Sequence, residues 1–125
     1  MVRGVVVGAA GRMGQRLIHV ISQSEGIELA GAIELSGHPS VGTDAGITAG
    51  SGPTGILIVN HLEKLNADFD VLIDFTTPET SLSTLRYAVA RKKALVIGTT
   101  GFSPEQTAAI GECSPIIPCV CAPNM

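Results

Sequence analysis

Residues 5–14 read VVVGAAGRMG, an apolar run followed by glycines at 8, 11 and 14, and residues 15–24 continue as QRLIHVISQS. The order of strand, glycine turn and helix is typical of a cradle for a dinucleotide pyrophosphate. The first turn of such a helix offers unpaired N–H groups and the positive end of the helix dipole to a phosphate. The G-x-x-G-x-x-G spacing is less common than G-x-G-x-x-G, so a purely structural strand-to-helix turn stays open as the alternative.

A second feature of the same fingerprint follows in the chain. The apolar stretch Ile27–Ile33 predicts a second strand, and it ends at Glu34, twenty positions beyond Gly14. An acidic side chain there accepts hydrogen bonds from the adenosine ribose hydroxyls, unless Glu34 is only a solvated strand end. Leu35 follows in place of an arginine that would pair with a 2′-phosphate, and neutral His38 would compensate weakly. We therefore expect NADH to bind better than NADPH.

Length and composition restrict the class of protein. With 125 residues the chain is expected to form a single domain, 1–125, and its 45% hydrophobic and 3% aromatic content suits a sheet buried on both faces. The net charge is −3 and basic residues cluster only at 91–93, so we expect a small-molecule partner rather than nucleic acid or membrane. Without a signal-like or membrane-spanning stretch, the protein is predicted to be cytoplasmic.

The remaining pattern alternates strands with helices. After a glycine-rich segment at 36–55, predicted to be a long surface loop, come a short strand at 56–59 and a short helix around 62–65. Strands are predicted at 69–75, 94–97 and 116–121. Thr77 and Ser103 are predicted to cap the helices between them, the first running to about Arg91. The alternation predicts an α/β fold, a Rossmann-like doubly wound parallel sheet.

In such sheets the ligand lies across the carboxyl ends of the strands. Four predicted strand ends carry glycine-rich or small polar sequences, at 8–13, 76–77, 98–101 and 122–125. We expect the first to hold the pyrophosphate and the last two to approach the nicotinamide ring. Arg12 is placed to reach a phosphate, although a solvated arginine at a helix start is an equal alternative.

Catalytic acid–base groups are not evident. His19, His38 and His61 have no nucleophile or carboxylate partner in sequence, and Asp74 is interpreted as a structural residue at a strand end. The cysteines at 113, 119 and 121 are odd in number and bunched. Cys119 and Cys121 share one face of a strand, but a metal site needs more ligands, so we expect buried, reduced cysteines and no metal.

Several motifs together resemble one enzyme family. They are VVGAAGRMG at 6–14, GAIE at 31–34, DAG at 44–46, DFTTPE at 74–79, VIGTTGF at 96–102 and APNM at 122–125. This combination resembles dihydrodipicolinate reductase, also called 4-hydroxy-tetrahydrodipicolinate reductase, along the whole chain. The resemblance implies NADH- or NADPH-dependent reduction of the cyclic product of aspartate semialdehyde and pyruvate, on the route to diaminopimelate and lysine.

Residues and resemblance together predict a cofactor site within this chain. Its residues are Gly8, Ala9, Ala10, Gly11, Arg12, Met13, Glu34, Thr76, Gly98, Thr99, Thr100, Ala122, Pro123, Asn124 and Met125. The family continues past APNM into a substrate-binding, tetramer-forming domain that supplies a His-His pair and a lysine, and we expect that domain to be missing here. The 125-residue chain is then expected to bind cofactor without turnover, as a monomer or weak dimer.

Two other hypotheses remain from the sequence. One is another dehydrogenase with a separate substrate domain, such as homoserine or aspartate semialdehyde dehydrogenase. The other is a stand-alone module that binds a nicotinamide nucleotide or senses redox state. Substrate specificity would distinguish the first hypothesis from the reductase. Coding sequence that continues beyond residue 125 would favour the reductase, and a native stop codon there would favour the stand-alone module.

Overall fold

A computed structural model describes residues 1–65, 68–113 and 115–121. The chain divides into two compact units, Met1–Asp70 and Val71–Met125. In chain order the elements are β1 (Val2–Val7), α1 (Arg12–Gln23), β2 (Ile27–Ile33), α2 (Ala45–Thr48), β3 (Ile58–Val59), a 3₁₀ turn (Leu62–Lys64), β4 (Val71–Asp74), α3 (Pro78–Arg91), β5 (Ala94–Ile97), α4 (Pro104–Cys113) and β6 (Cys119–Cys121).

The first unit is a parallel sheet in the order β3-β2-β1. Val7 pairs with Ile33 across β1 and β2, and Ile33 pairs with Val59 across β2 and β3. Val5 and Val6 are fully buried, as the unbroken apolar run predicts for a strand covered on both faces. The register aligns the carboxyl ends of these three strands, so the glycine turn after β1 lies beside Glu34 after β2.

The glycine-rich segment at 36–55 was predicted to be a surface loop, and this prediction is wrong in part. Asp44 caps a one-turn helix, α2, by accepting hydrogen bonds from Gly46 N and Ile47 N. Ala45 and Gly46 in this turn are buried, and a Cβ on Gly46 would lie 2.1 Å from Gly52 O. The segment therefore closes on itself around one carboxylate. The flanking strand is also shorter than predicted, covering 58–59 instead of 56–59.

The second unit is a parallel sheet in the order β4-β5-β6, in which each residue of β4 pairs with one of β5. Leu72, Leu95 and Ile97 form its buried strand core. The predicted caps are confirmed. Thr77 Oγ1 accepts from Thr80 N at 3.4 Å, and Ser103 Oγ accepts from Gln106 N at 3.2 Å while Gln106 Oε1 accepts from Ser103 N.

Strand and helix boundaries differ from the predictions by a few residues. Helix α1 begins at Arg12 instead of Gln15, inside the glycine motif, because Gly11 already accepts the first helical hydrogen bond from Gln15 N. Strand β4 spans 71–74 instead of 69–75, and β6 spans 119–121 instead of 116–121. In the part of the chain that the structure describes, no helix combines the length and hydropathy needed to cross a bilayer.

Candidate functional site

The turn between β1 and α1 is built by close backbone contacts. Gly8 has a φ of 87°, a left-handed conformation that favours glycine. A Cβ on Gly14 would lie 2.0 Å from Gly8 O, whereas a Cβ on Gly11 would lie 3.3 Å from the same oxygen. Helix α1 therefore packs against the turn at a distance that only glycine at position 14 permits. This is the close helix–strand packing that dinucleotide-binding turns require.

The start of α1 offers backbone donors. Intrahelical bonding begins with Gln15 N donating to Gly11 O at 2.9 Å, and no side chain from residues 1–65, 68–113 or 115–121 caps this end of the helix. The N–H groups of Arg12, Met13 and Gly14 precede that first bond and point out of the helix start. Gly11, Arg12 and Met13 are exposed, and no acidic residue lies in the first turn. The geometry fits an anion such as a pyrophosphate.

Glu34 is tied to the same turn. Its carboxylate accepts from Ala10 N through Oε2 and from Leu35 N through Oε1, both at 2.9 Å. Gly8 N and Ala9 N donate to Ile33 O just before it, so three consecutive N–H groups of the turn are bonded to the end of β2. The side chain is 8% exposed. A solvated strand end, the alternative from sequence, does not describe this buried carboxylate.

The residues that follow Glu34 set the charge beside it. Leu35 is 62% exposed and carries no charge. His38 Nδ1 accepts a hydrogen bond from Ser40 N at 3.1 Å and lies 2.8 Å from Ser40 Oγ. Both contacts direct Nδ1 of His38 toward Ser40. The local charge next to the predicted ribose position therefore comes from Glu34.

In the second unit, the ends of β4 and β5 are joined by hydrogen bonds. Thr76 N donates to Thr99 Oγ1 at 2.8 Å, and Gly98 N donates to Asp74 O at 2.8 Å. Thr99 is buried at 3% exposure, whereas Thr100 is exposed and Thr76 half-buried. The predicted site residues Thr76, Gly98 and Thr99 thus lie together at the carboxyl ends of β4 and β5. Thr99 is therefore enclosed in the protein, whereas Thr100 faces outward.

Gly98 has a packing role that sequence reasoning did not find. A Cβ at this position would lie 2.0 Å from the Phe75 ring. Any larger residue would displace that ring from the end of β4. The glycine therefore lets the strand end and the aromatic ring approach each other, a close contact that a single glycine in a motif cannot reveal.

Asp74, interpreted from sequence as structural, is the centre of a buried hydroxyl cluster. The side chain is fully buried, and its Oδ1 accepts from Thr76 Oγ1 and from Ser81 Oγ at 2.9 Å. Sequence reasoning missed Ser81, which is buried in α3 four residues after the helix cap. The signal that would have found it is helical spacing, since Ser81, Thr84, Leu85 and Ala88 form the buried face of α3.

The cysteines differ from the prediction. All three thiols are free, but Cys121 is exposed, and Cys113 and Cys119 are only half-buried. Strand β6 pairs with β5 at the margin of its three-stranded sheet and so is covered incompletely. Burial raises the pKa of the Cys119 thiol, and Cys121 and Cys113 add to that shift by charge repulsion. Cys119 and Cys121 do share one face, since both line an open pocket of about 500 Å³ with Phe102 and Ile110.

The histidines His19 and His61 contact nearby polar groups. His19 Nδ1 lies 2.8 Å from Ser51 Oγ, and His61 Nδ1 accepts from Glu63 N at the start of the 3₁₀ turn. Among residues 1–65, 68–113 and 115–121, no cluster of three or more His, Cys, Asp or Glu side chains is arranged to hold a metal ion. The predicted site residues Ala122, Pro123, Asn124 and Met125 lie outside the described residues.

Comparison with known proteins identifies the family. The family model described as "Dihydrodipicolinate reductase, N-terminus" matches residues 2–125. The 4-hydroxy-tetrahydrodipicolinate reductases of Geotalea daltonii and Syntrophotalea carbinolica are each 51% identical over the whole chain, which covers 47% of each protein. The chain thus spans about half the length of the curated relatives it matches.

Solved structures agree with the fold. The dipicolinate-bound dihydrodipicolinate reductase from Paenisporosarcina sp. TG-14 matches with a TM-score of 0.76 and 26% identity, covering 99% of this chain and 48% of that one. Aspartate semialdehyde dehydrogenase with NADP from Candida albicans matches at 0.67 and 17% identity, over 97% and 42% of the two chains, a likeness of fold alone. The predicted Rossmann-like α/β fold is confirmed, and the chain belongs to the dihydrodipicolinate reductase N-terminal domain family.

Proposed function

We propose that this chain is the nicotinamide-nucleotide-binding part of a 4-hydroxy-tetrahydrodipicolinate reductase. The observation that carries the proposal is the turn at 8–14. There Gly14 packs directly on Gly8 O, and the first N–H groups of α1 are left for an anion. Membership in the reductase family supplies the reaction, reduction of 4-hydroxy-tetrahydrodipicolinate to tetrahydrodipicolinate in diaminopimelate and lysine biosynthesis.

The proposed binding mode assigns one part of the nucleotide to each segment. Residues 8–13 take the pyrophosphate, with the N–H groups of Arg12 and Met13 at the start of α1 as donors and the Arg12 side chain as an added cation. Glu34 accepts from the adenosine ribose hydroxyls. Thr76 and residues 98–100 take the nicotinamide side, together with 122–125 at the end of the chain. The exposure of Thr100 at the end of β5 supports this assignment.

We further propose that NADH is the preferred cofactor and that NADPH binds more weakly. Glu34 brings a negative charge beside the ribose, and its position is held by Ala10 N and Leu35 N. A 2′-phosphate would be repelled by that carboxylate and would find an uncharged Leu35 next to it. The Nδ1 of His38 accepts from Ser40 N and so is directed toward that residue.

The bound dinucleotide would supply a hydride from the nicotinamide ring. The residues of this chain bind and orient the cofactor. We propose that substrate binding and protonation belong to the domain by which the family extends beyond this segment, so that the 125-residue chain alone binds cofactor without turnover. In the same proposal the full-length enzyme is a cytoplasmic homotetramer and this chain is a monomer or weak dimer, which sedimentation velocity measures directly.

Calorimetric titration of the purified chain with NADH and, in parallel, with NADPH tests the binding proposal. We expect micromolar NADH binding and weaker NADPH binding. A chain that binds neither nucleotide contradicts the proposed function, and tighter binding of NADPH contradicts the role of Glu34. Gly11 replaced by a bulky residue such as Trp serves as the site control, because its side chain would fill the exposed turn over the α1 donors.

A further inference from the structure

We propose that the buried Asp74 carboxylate is a positioning residue for the nicotinamide half of the cofactor, acting through Ser81 and Thr99. This inference rests on the proposed function and adds a mechanism within the second unit. Asp74 is the last residue of β4 and is fully buried. Ser81 and Thr99 are almost fully buried. None of the three side chains faces outward, so any effect on a ligand is indirect.

The number of hydroxyl hydrogens limits how the contacts of this cluster are shared. Ser81 Oγ lies 2.9 Å from Asp74 Oδ1 and 2.7 Å from Thr99 Oγ1, but a hydroxyl has a single hydrogen to donate. When Ser81 donates to Thr99, the hydrogen of Thr99 goes to Asp74 Oδ1 at 3.4 Å; when Ser81 donates to the carboxylate, the hydrogen between Ser81 and Thr99 comes from Thr99. Thr99 Oγ1 then keeps a lone pair for Thr76 N, 2.8 Å away. In either arrangement the hydroxyl hydrogen bonds of Ser81 and Thr99 lead to Asp74 Oδ1.

The cluster connects the two strand ends that the proposed function assigns to the nicotinamide side. Asp74 Oδ1 also accepts from Thr76 Oγ1, so the turn after β4 is bonded to the carboxylate directly and, through Thr99, to the turn after β5. Gly98 N donates to Asp74 O on the same residue. The hydroxyl cluster therefore adds side-chain hydrogen bonds to the backbone bond from Gly98 N in holding residues 98–100 at the end of β4.

The other carboxylate oxygen argues against a purely stabilising role. Asp74 Oδ2 is buried and makes no hydrogen bond with the described residues. A buried polar atom without a partner destabilises the folded state. An apolar residue would fill the end of β4 without that cost. What Asp74 provides, and an apolar residue would not, is an acceptor that aligns the hydroxyl groups of Thr76, Ser81 and Thr99 on Oδ1.

Ser81→Ala is the informative variant, because Ser81 lies in α3 and is not among the residues proposed to touch cofactor. Thr84→Val is the matched control. Thr84 is buried on the same helix face, and its hydroxyl donates to Thr80 O in its own helix instead of the cluster. Both variants remove one buried hydroxyl. Thermal unfolding of each reports the structural cost separately from binding.

Binding of each variant is measured with two ligands, NADH and ADP-ribose. ADP-ribose lacks the nicotinamide ring but keeps the adenosine and the pyrophosphate. We expect Ser81→Ala to weaken NADH binding roughly 3- to 10-fold, the loss of one net hydrogen bond, with ADP-ribose affinity unchanged. Thr84→Val should change neither affinity. Asp74→Asn keeps an acceptor oxygen for the cluster and should bind NADH better than Asp74→Ala.

The outcomes separate the two proposals. Wild-type chain that binds neither ligand refutes the proposed function, and the positioning role falls with it. Wild-type chain that binds both, with a Ser81→Ala variant that loses both equally or loses neither, overturns the positioning role alone. Faster hydrogen exchange of the Thr76 amide in Ser81→Ala, with no change in Thr84→Val, would support transmission through Thr99.

Discussion

In the proposed binding mode, single residues of the first unit decide which nucleotide the chain prefers. Glu34 carries the negative charge at the proposed ribose position, and the neighbouring Leu35 is exposed and uncharged. The fingerprint of glycines and Glu34 could be predicted from sequence because both depend on spacing along the chain. The bond from Ala10 N to Glu34 could not, since it depends on how the turn folds back across the end of β2.

Leu35→Arg should raise NADPH affinity. The guanidinium would lie next to the 2′-phosphate and offset the charge of Glu34, and we expect roughly 3- to 10-fold tighter NADPH binding by calorimetry. Leu57→Arg is the control, because Leu57 is similarly exposed and an arginine there adds the same charge elsewhere in the unit. If both variants gain equally, the effect is one of net charge and not of position 35.

Gly14→Ala should destabilise the fold, and Gly11→Ala should not. The new methyl group at 14 would lie 2.0 Å from Gly8 O, against 3.3 Å at position 11, where φ is −70° and suits alanine. Overpacking of this kind costs about 1–3 kcal/mol, and Gly11→Ala should change the free energy of unfolding by less than about 1 kcal/mol. Urea denaturation measures both. Equal losses would mean that α1 does not pack on the turn as described.

At the scale of elements, local signals predicted the caps and missed the long-range contacts. Thr77 and Ser103 act within three residues of the helices they begin, so sequence sufficed. The 36–55 segment folds around Asp44, whose partners Thr54 and Gly55 lie ten and eleven residues away. Glycine and proline content predicts an irregular segment, but it does not reveal that one carboxylate gathers both ends of it.

Asp44 makes the stability of this segment dependent on pH. Desolvation raises its pKa, but hydrogen bonds from Thr54, Gly55 and Ile47 outweigh that effect and lower the pKa from 3.8 to about 2. A lowered pKa in the folded state gives stability that is present above pH 3.8 and lost as the pH falls through about 2. Wild-type protein should therefore exceed Asp44→Asn in stability at pH 7, with a gap that closes toward pH 2. Urea melts at pH 7, 4 and 2 measure the gap, and a constant gap would contradict the charge-based mechanism.

At the scale of the whole molecule, the alternation of strands and helices predicted the fold class from sequence, and the family and solved relatives confirm it. The predicted site divides between residues inside the described ranges and 122–125, which lie outside them. Asp74 was interpreted from sequence as structural, but its hydrogen bond with Ser81 escaped prediction because it joins α3 to the end of β4. Ser81 lies outside the motifs that the sequence analysis used.

Catalysis by the 125-residue chain alone tests where the substrate-binding and protonating groups lie. Because the proposed function places substrate binding and protonation outside these 125 residues, NADH should bind while no substrate-dependent NADH oxidation is seen at 340 nm. The substrate would be formed in the assay from aspartate semialdehyde and pyruvate. The Geotalea daltonii relative, of which this chain covers 47%, is the positive control at equal concentration. Substrate-dependent turnover by this chain would place a proton donor within it, and the exposed histidines His19, His38 and His61 would then be replaced one at a time to find that donor.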